Sequence, residues 1–123
     1  MDNREKVASR LCMIKDLGKY GNLFGGNMMA WIDEAAAIFA IKTSGEKNMV
    51  TLHYSEMTFR HPVKEGDIVD FFCGKVRRGV TSITFEIEAI CAGRTVFCAD
   101  CVFVAVDDDG QKKAIDWNTP EKE

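Results

Sequence analysis

The sequence predicts an α+β domain in which one long, buried helix is wrapped by a curled antiparallel sheet. Three observations carry this. Residues 27–42 form a helical run that is apolar on nearly every face, broken mainly by the adjacent carboxylates Asp33 and Glu34. From residue 49 onward the apolar period changes from that of a helix to two. The period-two segments are separated by short turn signals, which demand antiparallel neighbours.

Taken in order, residues 7–14 read as a first strand at a sheet edge and residues 15–24 as a loop. Three glycines, Gly21, Gly25 and Gly26, lead into the helix, with Asn27 placed to cap its start and Gly45 to end it. Residues 49–59 are rich in β-formers and stop at His61-Pro62, because proline cannot continue a central ladder. Lys64-Glu65-Gly66-Asp67 is a turn, residues 68–76 a strand, and Arg77-Arg78-Gly79 a second turn. Residues 81–91 alternate most clearly. Ile83, Phe85, Ile87 and Ala89 point one way and Ser82, Thr84, Glu86 and Glu88 the other, as in a half-exposed antiparallel strand. Ala92-Gly93-Arg94 turns the chain into residues 95–106, a long and nearly uncharged run expected at the sheet centre. The polar tail from about residue 111 is expected to fray, with Ile115 and Trp117 able to dock locally.

The 123 residues suit a single domain spanning 1–123, large enough to bury a core. Hydrophobic content of 46% with 28% charge is that of a soluble globular chain, and no apolar run reaches membrane-spanning length. The N-terminal segment lacks an apolar signal core, which points to the cytoplasm. A net charge of -3 argues against general nucleic-acid binding. Five cysteines without a secretory context do not suggest disulfides. Cys98 and Cys101 match a C-x-x-C spacing but sit in a strand-like run, where residues three apart face opposite sides, so packing is the better reading. A helix this apolar exceeds what one sheet can cover, so a second copy of the chain is expected to complete its burial.

The chemistry begins at the glycines. Backbone N–H groups at a helix start lack internal partners, favour negative charge and, where glycine allows close approach, can polarise a carbonyl. Asp33 and Glu34 point about 100° apart on the helix, so they cannot share surroundings. An ionised carboxylate among apolar residues needs partners or a task. Neither His53 nor His61 lies in the glycine loop or the helix, and there is no G-x-S-x-G elbow for a serine hydrolase and no Walker motif.

The ordered set Asn22-x-Phe24-Gly25-Gly26, Asp33 seven residues later, then Met57-Thr58-Phe59-x-x-Pro62-Val63-x-x-Gly66-Asp67, resembles the acyl-CoA thioesterases of the hotdog-fold superfamily, and in particular the bacterial and brain-type acyl-CoA hydrolases. The closing residues 104–110 are similar to that family's last strand and exit. The resemblance implies hydrolysis of a CoA thioester to free acid and CoA, without metal or further cofactor. Asp33 would act as general base or nucleophile. Gly25 and Gly26 would polarise the carbonyl, and Asn22 would orient water or substrate from the opposite subunit. Thr58 would position the water or the aspartate, although threonine is also simply a good strand residue. Arg60, Lys75, Arg77 and Arg78 would meet the phosphates of CoA, although a charged turn is otherwise a solvated one. The implied assembly is a homodimer, tetramer or hexamer with the site at the subunit interface. The alternative within the same fold is a non-catalytic acyl-CoA-binding module.

Overall fold

A computed structural model describes residues 4–118. It holds strand β1 (Glu5–Leu11), a 3-10 turn (Ile14–Asp16), helix α1 (Gly25–Ser44), and strands β2 (Met49–Tyr54), β3 (Thr58–Phe59), β4 (Ile68–Arg78), β5 (Ser82–Cys91) and β6 (Arg94–Ala105). The strands form one antiparallel sheet in the order β1-β4-β5-β6-β2, with β3 also pairing β6. The sheet curls around α1 without closing, as expected for the hotdog fold.

The three last strands follow the local pattern. β5 alternates residue by residue between half-buried and buried from Ser82 to Cys91, as its period of two requires. β6 is central, with β5 on one side and β2 and β3 on the other. Phe71, Phe85, Phe97 and Phe103, all fully buried, fill the concave side of the sheet. Phe39 of the helix packs on Phe85 at a centroid distance of 4.7 Å, and Trp31 meets Phe71 edge-on at 6.5 Å.

Pairing beyond hairpins departs from the expectation of consecutive neighbours. β2 follows the helix, yet it pairs with β6 and not with β4, the next long strand. β4 instead takes β1 on its outer side, which places β1 at the edge as the sequence suggested. The chain crosses from one end of the sheet to the other between β3 and β4, and the predicted Lys64–Asp67 turn lies on that crossing, closed by Asp67 N–H to the Lys64 carbonyl at 3.0 Å.

Three local readings are corrected. Arg77 and Arg78 belong to β4, and the turn they were expected to make falls one step later, at residues 79–81. The helix opens at Gly25 with Phe24 as its cap residue and no side-chain cap. Asn27, expected to cap, lies inside the first turn, and its Nδ2 donates to the Asp16 carbonyl at 3.0 Å. Residues 111–118, expected to fray except where Ile115 and Trp117 could dock, are held by those two side chains. Ile115 is buried, its N–H donates to the Val80 carbonyl at 2.8 Å, and Trp117 Nε1 donates to the Gly79 carbonyl at 2.9 Å. Residues 119–123 of that tail lie outside the described residues. At the other end of the helix Gly45 holds φ 76°, the left-handed cap conformation, and its N–H bonds the Ile41 carbonyl at 3.0 Å.

One face of α1 is buried against the sheet by Met28, Trp31, Ile32, Ala35, Ala36, Phe39 and Ala40. The opposite face exposes Met29, Ala30 and Ile41 around Asp33, which leaves an apolar helix surface uncovered within one chain. Among the described residues no helix is long and apolar enough to cross a membrane.

Candidate active site

The glycine loop is fixed from below by Asp16. Its carboxylate accepts from the Met13 N–H at 2.9 Å and from Lys15 Nζ at 3.0 Å, and its carbonyl accepts from the Phe24 N–H at 3.0 Å. The Met13 N–H first, and then Lys15, hold the Asp16 carboxyl below the usual aspartate value. Leu23 N–H donates to the Val63 carbonyl at 2.7 Å, which ties the loop to the segment after β3. These anchors hold the N–H groups of Gly25 and Gly26 at the start of α1, where intrahelical acceptors are lacking and no side chain caps them. A Cβ on Gly26 would lie 2.9 Å from the Phe24 ring, whereas one on Gly25 would meet nothing closer than the Phe59 ring at 3.9 Å. A side chain at Gly26 would therefore press on the exposed Phe24 ring and require it to shift, whereas one at Gly25 would make only ordinary contact with Phe59.

A cleft of about 330 Å³ opens beside Gly25, lined by Asn22, Phe59, Arg60, His61 and Pro62 among others. Asn22 Oδ1 accepts from Lys64 Nζ at 3.0 Å. An ammonium only donates, so the amide NH2 of Asn22 is turned away to donate elsewhere.

Asp33 stands about two helical turns further along α1, roughly 12 Å from Gly25, on the exposed face of the helix. Its Oδ1 accepts two hydrogen bonds from β2, from Thr51 Oγ1 at 2.8 Å and Tyr54 OH at 2.7 Å. Among the described residues Oδ2 has no hydrogen-bond partner. Glu34 points elsewhere, and Arg10 Nη1 donates to it at 3.3 Å while stacking over Trp31. Burial first, and then the negative Asp33, push the Tyr54 phenol well above the usual tyrosine value.

The structure thus brings Asn22, Gly25 and Arg60 together at one cleft and places Asp33 apart from them, with partners that sequence reading did not name. Thr58, expected near the aspartate, sits on β3 opposite Cys98. Thr51 and Tyr54 escaped because three-residue spacing on a strand signals opposite faces. Of the expected phosphate contacts, Arg60 Nη2 lies 3.5 Å from Cys98 Sγ at the cleft. Lys75 sits at an irregularity of β4 with φ 56° and pairs with Glu86 at 3.7 Å. Arg77 is exposed on β4, and Arg78 lies over the Trp117 ring at 4.9 Å.

The family model for the Thioesterase superfamily matches residues 20–108, a span that contains the glycine loop, all of α1 and most of the sheet. The chain belongs to the Thioesterase superfamily. The acyl-CoA thioester hydrolase YciA of Salmonella typhimurium is 35% identical over 127 residues, covering 94% of this chain and 95% of the relative. A hexameric hotdog-fold thioesterase of Campylobacter jejuni superimposes with a TM-score of 0.81 at 34% identity, over 91% of this chain and 90% of its own. An acyl-CoA hydrolase of Staphylococcus aureus, solved with butyryl-CoA, CoA and CoA disulfide, gives a TM-score of 0.81 at 28% identity, over 98% of this chain and 76% of its own. In that enzyme one asparagine, one aspartate and one threonine have each been replaced by alanine.

Proposed function

We propose that this chain is an acyl-CoA thioesterase that hydrolyses a CoA thioester to a carboxylic acid and CoA, with Asp33 as its reacting carboxylate. The observation that carries this is the Asp33 carboxylate itself, one oxygen fixed by two hydroxyl donors and the other free to act. The relatives support it. The aspartate replaced in the Staphylococcus aureus enzyme precedes the replaced threonine by seventeen residues. Here Val50 follows Asp33 by seventeen and Thr51 by eighteen, and since it is Thr51 whose hydroxyl reaches the carboxylate, we assign to Thr51 the role expected of Thr58. The replaced asparagine there stands fifteen residues before its aspartate, a place held here by Gly18. Asn22 comes four residues later, on the wall of the cleft, and is the side chain we assign to orient water.

In this reading the substrate carbonyl lies against the N–H groups of Gly25 and Gly26, which stabilise the oxyanion as it forms. Asp33 Oδ2 takes a proton from water, the water oxygen bonds to the carbonyl carbon, and collapse breaks the C–S bond with its electron pair leaving on sulfur. The CoA thiolate then takes up a proton. Because Gly25 and Asp33 are two turns apart on one helix, a single chain cannot bring both to one carbonyl. The site is completed by a second copy laid on the uncovered face of α1, so that Asn22 and the glycines of one subunit face Asp33 of the other. The assembly is a homodimer or a higher oligomer built from dimers. Arg60, beside the cleft, and the exposed cations Lys75, Arg77 and Arg78 are the proposed contacts for the CoA phosphates.

Release of free thiol, followed with a colorimetric reagent across acyl-CoAs of several chain lengths, tests the reading. Turnover of at least one chain length is expected. Tight CoA binding without turnover of any would leave a binding module and overturn it.

A further inference from the structure

Residues three apart on a regular strand face opposite sides, yet Thr51 and Tyr54 both reach the same carboxylate oxygen. The cause is an irregularity in β2. Its register against β6 slips between Thr51 and His53, so Thr51 stands opposite Phe103 and Tyr54 opposite Cys101. Phe103 and Cys101 are two apart, both buried under α1, and so share a face. The extra residue, Leu52, is spent at the bulge and is exposed. The bulge therefore turns a second hydroxyl toward Asp33 that a regular strand would aim away.

We infer that Tyr54 is a positioning residue for the reaction: its hydroxyl, with that of Thr51, fixes Oδ1 of Asp33 so that Oδ2 alone addresses the water. The inference rests on the reading of Asp33 as the reacting carboxylate. The ring is itself half-buried and packed edge-on to Phe103 at a centroid distance of 6.5 Å, so the hydroxyl cannot wander far from the carboxylate without moving the ring off Phe103. A carboxylate with one bond can swing about its last torsion, which is broad. Two donors from one strand on a single oxygen remove that swing, and the order is present before substrate arrives. Burial keeps the phenol protonated well above neutral pH. Tyr54 therefore donates throughout the working range and takes no proton from the substrate.

Tyr54→Phe removes one hydroxyl and leaves the ring on Phe103. In the full oligomer, kcat should fall about 10-fold or more, the scale of a hydrogen bond to a charged group, with KM for acyl-CoA and the thermal midpoint little changed. Placed on Asp33→Asn, the same change should alter kcat by less than about twofold, since nothing remains for it to position. A merely structural hydroxyl would lower the thermal midpoint or shift kcat equally in both backgrounds. If Asp33→Asn abolishes turnover while Tyr54→Phe leaves kcat untouched, the inference about Tyr54 is overturned and the reading of Asp33 stands. If Asp33→Asn is itself active, the reading of Asp33 fails first. Should Tyr54→Phe lose its fold, Tyr54→Met, which also fills the space without a hydroxyl, provides the second variant. It should lower kcat alike, and retained kcat there would also overturn the inference.

Discussion

Thr51 on β2 donates its hydroxyl to Oδ1 of Asp33 on α1 at 2.8 Å, while Thr58, further along the chain, stands opposite Cys98 on a different strand. One threonine of two is thus wired to the carboxylate. Asp33→Asn should lower kcat by at least ~10²-fold, the scale of losing a positioned acid–base group. Thr51→Val should lower it about 10-fold, and Thr58→Val by less than about twofold. Steady-state kinetics on all three variants checks the order, and Thr58→Val falling below Thr51→Val would reverse the assignment.

The uncovered apolar face of α1 around Asp33 predicts that sedimentation at micromolar concentration gives a dimer or larger. Mixing inactive Asn22→Ala and Asp33→Asn proteins under confirmed subunit exchange should restore part of the activity, because a hybrid holds one site with both residues intact. No recovery would place the two residues in the same subunit's site.

Gly25 has room for a methyl group within its own chain, whereas one on Gly26 would press on the Phe24 ring. Gly25→Ala should keep the thermal midpoint, since alanine is the better helix former. It should nevertheless lower kcat/KM by about 10-fold or more if the substrate carbonyl packs on that backbone. An active Gly25→Ala enzyme would move the carbonyl away from the helix start.

Arg60 and Arg78 separate binding from stability. Arg60→Ala should raise KM for acyl-CoA several-fold with kcat nearly unchanged, the pattern of lost ground-state binding. Arg78→Ala should also lower stability by about 0.5–1 kcal/mol, because the guanidinium covers Trp117, which fastens residues 111–118. Urea midpoints and kinetics on both variants distinguish the two effects.

Burial pushes the thiols of Cys73 and Cys101 far above the ordinary value of 9.0. The folded chain therefore binds these protons more tightly than the unfolded chain does. Their contribution is intact below about pH 9 and is lost as pH rises beyond it, by up to about 1.4 kcal/mol per pH unit for each thiol. Tyr54 adds to the same loss above pH 10, its usual value being 10.0. Urea midpoints under reducing conditions between pH 8 and 10.5 should fall steadily. Replacing Cys73 or Cys101 with Ala should flatten the slope, whatever it does to the midpoint at pH 8. A profile that stays level would refute the account.

Some of this was legible in the sequence because it is local. The alternation of β5 states which of its residues are buried, Gly93 marks the hairpin into β6, and Gly45 ends α1 because glycine takes a left-handed φ at little cost. The run of apolar residues after Gly26, the glycine loop and Asp33 in register were likewise enough to point to a family and to a carboxylate on a helix. Each of these is a property of a few consecutive residues and the backbone's two periods.

What only the tertiary structure decided lies between distant residues. That β2 pairs β6 and leaves β4 to β1 depends on which apolar faces cover α1 together, and no period in β2 names its partner. Arg77 and Arg78 extend β4 because β5 continues opposite them, past where their own charge suggests a turn. Residues 111–118 are ordered because Ile115 and Trp117 find acceptors at Val80 and Gly79. Thr51 and Tyr54 meet on Asp33 because a bulge, fixed by the register against β6, adds one residue to β2 and changes which face Tyr54 presents. A one-residue shift reverses every side chain beyond it, so the partners of Asp33 are set by strand pairing and cannot be read from strand composition.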